Sequence, residues 1–540
     1  MFISEFPSFS WRQAATAVAA IVLTLLARFL FKLVKQRRRM RGLPGPPYHP
    51  VFGHLLIAAK MAAALPPDVH PHHYWYWLRK EYNLGDFYYF DVWPVGPPTL
   101  IICNAEVAEQ ITVKSSLDKH PMVKSFLKQH LGVNNIAAAN GAVWKKARTI
   151  YNPGFAVSHL MTAIPTIVED VLTFHDILSK FAESQEVIEL EAVAMKLSFD
   201  VIGRLVLDME LGSQRGSNIL VDAFRRQINY MSSANTWSSP LEGMNPLRRY
   251  AISQNSKIID RFLGDELDRR FANPDEKVLG KSGQRSMLEV AMDTYNAEVR
   301  DASSDSSGAM DPEFRQSAID QIRTFVFAGH DTVSTLISMI FYFLSKIPEA
   351  RKKACEELDN IFGPDVQATA AKIQEDPYIL NRLVFNHAVM KETLRLFPPA
   401  NTVRVGSPDI FITDPVTNER YPTYDWCVWP DSYVLGRDER YFPKPEAFMP
   451  ERFLPESPFS SIPAGAWRPF ERGPRNCIGS EFGTLEIKVV LALTLRDFEF
   501  EPAYDKGDVT VDGEPCYQML MLSAKPKKGC PGRIKKMTTR

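Results

Sequence analysis

Three observations in the sequence predict a mainly helical chain with small β-sheets, an α+β protein. First, the stretch from Asp311-Pro312 to Pro348 is rich in apolar residues and contains a single glycine, Gly329. Asp caps a helix and Pro suits its first turn, so the start is marked. At ~1.5 Å per residue the helix is roughly 50 Å long, enough to cross a globular body. Second, residues 168–250, residues 381–397 and the segment after Cys477 carry helical apolar patterns, the last through Phe482, Leu485, Ile487, Val490 and Leu493. Third, residues 86–103 alternate in type and are rich in Tyr, Phe, Val and Ile, which predicts a two-stranded hairpin turning near Pro94 to Pro98.

Between these elements, breaks are expected at 212–217 and 232–246. The second is long and polar, holds Trp237 and Met244, and reads as a mobile segment. Residues 274–311, with a Ser/Asp/Gly-rich run at 301–308, read as a surface loop. Residues 426–449 show no periodicity, and the basic tail 525–540 reads as solvated.

The chain of 540 residues would by length alone make about three to four domains. Its 23% charged residues balance to a net charge of zero, so there is no basic excess to suggest nucleic acid. Six widely separated cysteines without a Cys-x-x-Cys pair point to a reducing compartment.

The N-terminus predicts a membrane anchor. Residues 14–34 are apolar apart from Arg28 and Lys32, close to the ~20 residues that span a bilayer. Lys35, Arg37, Arg38, Arg39 and Arg41 follow, and the positive-inside rule places them, and the chain beyond, in the cytosol. Residues 1–13 then form a short lumenal end. A cleaved signal peptide would carry its charge before the apolar run, and a mitochondrial presequence would be amphipathic and Arg-rich at its start. Leu43-Pro44-Gly45-Pro46-Pro47 closes the 35–50 segment as a stiff extended hinge before a single domain at 51–540.

Cys477 is the chemical centre. It precedes the last helix, where free N–H groups and the positive dipole end favour a thiolate, and Arg475 stands two residues away. Gly473 and Gly479 permit tight turns around it. Such a sulfur is a candidate ligand for a soft metal or haem iron. Trp144 and Arg148 share one helical face and can together hold a carboxylate. Ala328 and Gly329 thin the long helix so that a flat group can approach, with the acid Asp331 and the alcohol Thr332 beside the gap. Thr332 can hydrogen-bond back along the helix. Glu392 and Arg395, three apart, form a pair that needs a third partner if buried, and Arg452 is the candidate. His70, His72 and His73 read as a surface turn entering a helix. The aromatic run Tyr74 to Trp77 suits either a membrane interface or a core.

Phe470, Gly473, Arg475, Cys477 and Gly479 together meet Phe-x-x-Gly-x-Arg-x-Cys-x-Gly in full. The stretch resembles the haem-binding loop of the cytochrome P-450 superfamily of haem-thiolate monooxygenases. Trp144/Arg148, Ala328 to Thr332, and Glu392/Arg395 with Arg452 match further motifs of that family in the expected order. The resemblance implies one large catalytic domain of the P-450 fold, and haem b (iron-protoporphyrin IX) ligated by Cys477. Trp144, Arg148, Arg475 and Arg404 would then hold the propionates, and Asp331 and Thr332 would deliver protons. It implies a structural role for Glu392, Arg395 and Arg452, and a substrate lid near residues 232–246. It also implies electrons from NADPH through a membrane-bound flavoprotein reductase, with cytochrome b5 as a further partner. Lys145, Lys146 and Arg472 offer cations to such a partner. The overall likeness is to fungal microsomal members that oxidise lipophilic secondary metabolites such as polyketides or terpenoids, in the endoplasmic reticulum membrane. Two alternatives stay open: a haem-thiolate isomerase or dehydratase acting on a peroxide, and a non-catalytic haem sensor or carrier.

Overall fold

A computed structural model describes residues 11–232, 245–273, 286–302, 310–457, 459 and 462–537. The predicted long helix spans Pro312–Lys346, and the Asp311 carboxylate accepts the Phe314 N–H at its start. It is long and apolar enough to cross a membrane, yet it is mostly buried within the domain and forms its axis. Its most extensive helix contact is with Leu190–Leu207. Around this pair pack Val157–Ser184, Pro246–Ala272, Val384–Leu396 and Ser480–Thr494. Their facing side chains make one continuous apolar core, in which Ile202, Ile319, Ile322, Val326, Ile337 and Leu491 are at most 2% exposed.

The predicted hairpin is present: Phe87–Phe90 pairs antiparallel with Thr99–Ile102, with Phe87 opposite Ile102. It is half of a four-stranded sheet. Cys427–Pro430 joins Thr99–Ile102 in parallel, and Arg404–Val405 closes the far edge. The strand at 427–430 lies where the sequence shows no periodicity. Both its faces are mostly buried, so its residues do not alternate.

Other expectations are corrected. Residues Met287–Ala302 form a helix within the expected surface loop, with Met287, Leu288 and Ala291 buried. Much of the expected lid, with Trp237 and Met244, lies outside the described residues. His70, His72 and His73 do begin a helix, Pro71–Glu81, but they are buried rather than on the surface. His72 stacks on Tyr433 at 4.2 Å between ring centres. The aromatic run after them belongs to a core: Tyr74, Trp75 and Tyr76 are buried. The described part of the tail is packed on the body rather than free: Pro531–Lys536 is a strand against Phe498–Pro502 and Lys525 is 3% exposed, while Lys528, Lys535 and Lys536 keep their side chains exposed.

The N-terminal helix runs from Trp11 to Arg39, through the basic cluster and past the apolar stretch. Its apolar part is exposed on the chain's own surface and long enough to span a bilayer. Its last turns are fastened to the body. Phe29 stacks on Trp93, with ring centres 5.3 Å apart. Arg37 pairs with the buried Asp91 and donates to Val51 O and Trp93 O. Arg39 lies over Trp426 and donates to Tyr424 O. The proline segment is not a free spacer: Pro44 O accepts the Tyr89 N–H at 2.8 Å, so the segment lies along the sheet edge.

Candidate active site

Cys477 lies three residues before the helix Ser480–Thr494, in a turn closed by Cys477 N–H donating to Phe470 O at 2.8 Å. Gly473 is in the left-handed region (φ 82°), and a Cβ there would meet Thr112 O at 2.2 Å, so only glycine fits. Gly479 has φ −93° and room for a Cβ, so its turn does not require glycine. Its contribution is an N–H directed at the Cys477 sulfur. Cys477 is exposed, whereas the other five cysteines are buried, and all six are free thiols. The protein around the sulfur pushes its pKa up; the Gly479 N–H, Arg148 and Lys119 act in the opposite direction without prevailing. Desolvation outweighs them, and a bound metal ion is what deprotonates such a sulfur outright.

Trp144 and Arg148 share a face of the helix Gly141–Tyr151, and that face grips the thiol turn. The Arg475 guanidinium sits 4.5 Å from the Trp144 ring centre. Arg148 donates to Asn476 O and Oδ1 at 2.9 and 2.8 Å, one residue before the thiol. Arg475 also donates to Ala139 O and Asn140 Oδ1, and burial beside Arg404 and Arg148 lowers its pKa to about 10. Glu392 is enclosed, the case in which the sequence asks for a third partner. Arg395 makes a two-pronged pair with it at 2.7 Å, and Arg452 Nε is 3.3 Å away; all three are at most 1% exposed. Arg395 also donates to Gly436 O and Pro445 O, and Met449 N–H donates to Glu392. The approach to the thiol turn is thereby fastened to the helix Val384–Leu396.

The long helix and the thiol turn are bridged by Phe155, which lies 3.7 Å from a Cβ built on Gly479 and 5.3 Å from the Phe325 ring centre. Three residues after Phe325, Ala328 is exposed although Phe327 and His330 beside it are buried. Thr332 Oγ1 donates to Ala328 O at 2.9 Å, as the sequence predicts. Gly329 differs from expectation. A Cβ there would meet Ile202 at 2.7 Å, so its missing side chain admits the neighbouring helix rather than a flat ligand. Asp331 is neither solvent-facing nor beside an open gap. It is fully buried, with Lys525 Nζ 2.8 Å from Oδ1, and Lys525 also binds Glu191 and Asp331 O. Ser334 Oγ bridges to Glu191 at 2.9 Å.

Arg404 begins a strand but is held by Glu471, at 3.3 Å, and by Leu117 O. Lys119, which the sequence did not mark, lies beside it: the backbones of Lys119 and Arg404 pair as an isolated antiparallel bridge. Of the cations considered for a docking face, Arg472 is paired with Glu109 at 3.0 Å. Among the described residues no group of three or more His, Cys, Asp or Glu could hold a metal ion. One soft sulfur on an exposed cysteine, a small exposed residue on the long helix, and a rim of cations fit a flat dianionic macrocycle bearing one metal.

A seat with a single sulfur ligand and a cationic rim is that of a haem-thiolate protein. A family model described as Cytochrome P450 matches residues 43–531, and the chain belongs to that family. Cytochrome P450 monooxygenase polC of Polytolypa hystricis is 35% identical over 535 residues, covering 96% of this chain and 95% of that protein. Cytochrome P450 monooxygenase acrF of Aspergillus aculeatus is 35% identical over 497 residues, covering 86% and 97%. Human cytochrome P450 4V2 is 29% identical over 528 residues, covering 92% and 91%. The chain is thus a haem-thiolate monooxygenase of fungal type, with haem as cofactor, a redox partner and a lipophilic substrate.

Proposed function

We propose that this protein inserts one oxygen atom from O2 into a lipophilic secondary metabolite, as a hydroxylation or epoxidation. The observation that carries the reading is the open Cys477 sulfur in a turn that Arg148, Trp144 and Arg475 clamp from one side. When bound, haem supplies the activation of dioxygen, with a thiolate pushing electron density toward the iron. The chain's own residues hold and aim it. Cys477 would ligate the iron, Phe470, Gly473 and Gly479 would shape its turn, and Arg475, with Trp144 and Arg148, would hold the group's carboxylates. Ala328, exposed on the long helix, would leave room for dioxygen and substrate. Thr332 and Asp331 move protons toward that space, Asp331 from behind the helix where Lys525 holds its carboxylate. Glu392, Arg395 and Arg452 brace the turn.

Electrons come from NADPH through a separate membrane-bound flavoprotein reductase, with cytochrome b5 as a second donor. The protein sits in the endoplasmic reticulum membrane as a single-pass protein through residues 14–34, a reading that the exposed apolar helix supports. Residues 1–13 are lumenal, and the catalytic domain of 51–540 faces the cytosol beyond the 35–50 segment.

A second reading has one observation in its favour. Asp331 is tied to Lys525 and fully buried, and a haem-thiolate isomerase or dehydratase that rearranges a peroxide needs no such acid. Turnover with reductase and candidate metabolites, read by product mass, separates the two: a monooxygenase consumes NADPH in step with product. The reduced, carbon-monoxide-treated protein should show a thiolate-ligated spectrum, which Cys477→His should abolish. A nitrogen-ligated spectrum in the wild type rejects the site.

A further inference from the structure

We propose that Gln321, on the long helix, is a positioning residue for the haem seat: it fixes the loop from Gly132 to Asn140, and that loop aims Arg475. The inference rests on reading the Cys477 turn as the haem seat, with Arg475 on its rim.

The loop joins the helix Pro121–Leu131 to the helix Gly141–Tyr151, whose face grips the thiol turn. Backbone groups buried in a loop must find hydrogen-bond partners outside regular structure. Here two adjacent side chains of the long helix supply them. Asp320 accepts the Asn134 N–H at 3.0 Å. Gln321 accepts the Ile136 N–H at 2.8 Å and donates to Asn134 O at 2.5 Å. Its amide thus gives the loop one donor and one acceptor, as a neighbouring strand would. Asp320 and Gln321 are at most 2% exposed. A Cβ on Gly132 would strike the Asp320 carboxylate, so glycine there lets the loop close onto the helix.

The clasped residues belong to a rigid turn. The buried Asn135 side chain donates to Gly132 O at 2.7 Å and accepts the Ala138 N–H at 2.9 Å. Ala139 N–H donates to Asn135 O at 2.9 Å. Ala139 and Asn140 therefore follow Asn134 and Ile136. Both touch Arg475: Ala139 O accepts from Nη2 at 2.7 Å, and Asn140 Oδ1 from Nη1 at 3.1 Å. The guanidinium is a planar fork. With both its terminal nitrogens bound to the loop, the loop sets the direction in which its remaining edge points.

Gln321 stands seven residues before Ala328, two turns and roughly 10 Å along one face of the helix. The clasp therefore borders the space in front of Ala328, and one short stretch of loop joins that side of the seat to the thiol side. Core packing alone does not ask for an amide here. An unbranched apolar side chain would fill a similar volume, but it would leave the Ile136 N–H and Asn134 O unpaired.

The test uses full-length holoprotein with two readouts other than turnover: the rate of haem transfer to apomyoglobin, and the midpoint potential of the haem. Gln321→Met should release haem about tenfold faster, the scale on which groups that orient a metal's partners act. Its potential should move negative, because a cation is no longer aimed at the seat. Where Gln321→Met does not accumulate, Gln321→Glu takes its place; it keeps the Ile136 contact, repels Asn134 O and should give a smaller shift of the same sign. In an Arg475→Lys background the effect of Gln321→Met should shrink, because lysine cannot make the two-pronged contact with the loop. Gln227→Leu is the control for general loosening. It removes the contact with Gln129 O on the other side of Gly132 and should leave both readouts near wild type. Wild-type haem retention and potential in Gln321→Met, or in Gln321→Glu where that variant stands in, overturn the proposal. So does Gln227→Leu reproducing the full effect, and so does an undiminished effect in the Arg475→Lys background. A wild-type protein that binds no haem rejects instead the reading of the site on which the proposal rests.

Discussion

Lys525 stands with its ammonium between two carboxylates, Asp331 and Glu191, and a backbone carbonyl, all in the interior. Burial works against its charge, yet the two acids hold its pKa above the ordinary value. Lys525→Met removes the cation that this pair shares among the described residues and should cost about 3–5 kcal/mol in urea unfolding; a cost within 1 kcal/mol of zero would mean that the acids find another partner. None of this is legible in the sequence, where Lys525 sits in Ala-Lys-Pro-Lys-Lys-Gly and reads as tail, far in sequence from Asp331. Glu486 makes a different residue-scale case. Burial raises its pKa to about 8, although Ser198 donates to it at 2.7 Å. A carboxyl raised in the folded state favours the native form while protonated. That contribution is complete below its unfolded value near pH 4.5 and is lost as pH rises toward 8. Glu486→Gln should therefore match wild-type stability near pH 4.5 and exceed it by on the order of 3–5 kcal/mol at pH 8–9. A difference that is flat from pH 5 to 9 would contradict this.

At the level of elements, the long helix was legible because its start, its end and its apolar content are local properties. The Glu392–Arg395–Arg452 cluster was legible too, because a buried pair three apart demands a third group and the motif supplies it. The direction in which Gly329 faces was not. One glycine marks a close approach, but the partner is fixed by how two helices cross, and Ile202 is that partner. Gly329→Ala gains ~1 kcal/mol of helix propensity and meets a clash worth about 1–3 kcal/mol, so the variant should be destabilised on balance. Combined with Ile202→Ala, it should show a favourable coupling of about 1 kcal/mol or more in a double-mutant cycle. Strictly additive costs would place the glycine's open side elsewhere. The strand at 427–430 and the helix Met287–Ala302 escaped notice for a related reason, since burial or flanking polar runs erased the periodicity that signals them.

For the molecule as a whole, the seam between anchor and body is a set of contacts rather than a stretch of loose chain. Composition could locate the apolar run and its basic flank, but not that Arg37 would turn inward to a buried Asp91. The position of a truncation therefore matters. A chain beginning at residue 35 keeps Arg37 and should fold as stably as the full chain, with less of it on membranes. A chain beginning at residue 41 leaves Asp91 with Tyr48 and the Trp93 N–H as donors and should lose about 3–5 kcal/mol in denaturant titration. Equal stability of the two would show that the Arg37 contact contributes nothing. The same seam has a mechanical meaning. A span longer than the local hydrocarbon layer accommodates it by leaning. Here the spanning rod continues unbroken into residues bolted to the sheet, so any lean of the rod is shared by the entire body. Lipid thickness would then set the angle at which the enzyme meets the membrane surface, and with it the height at which greasy molecules enter and electron donors dock.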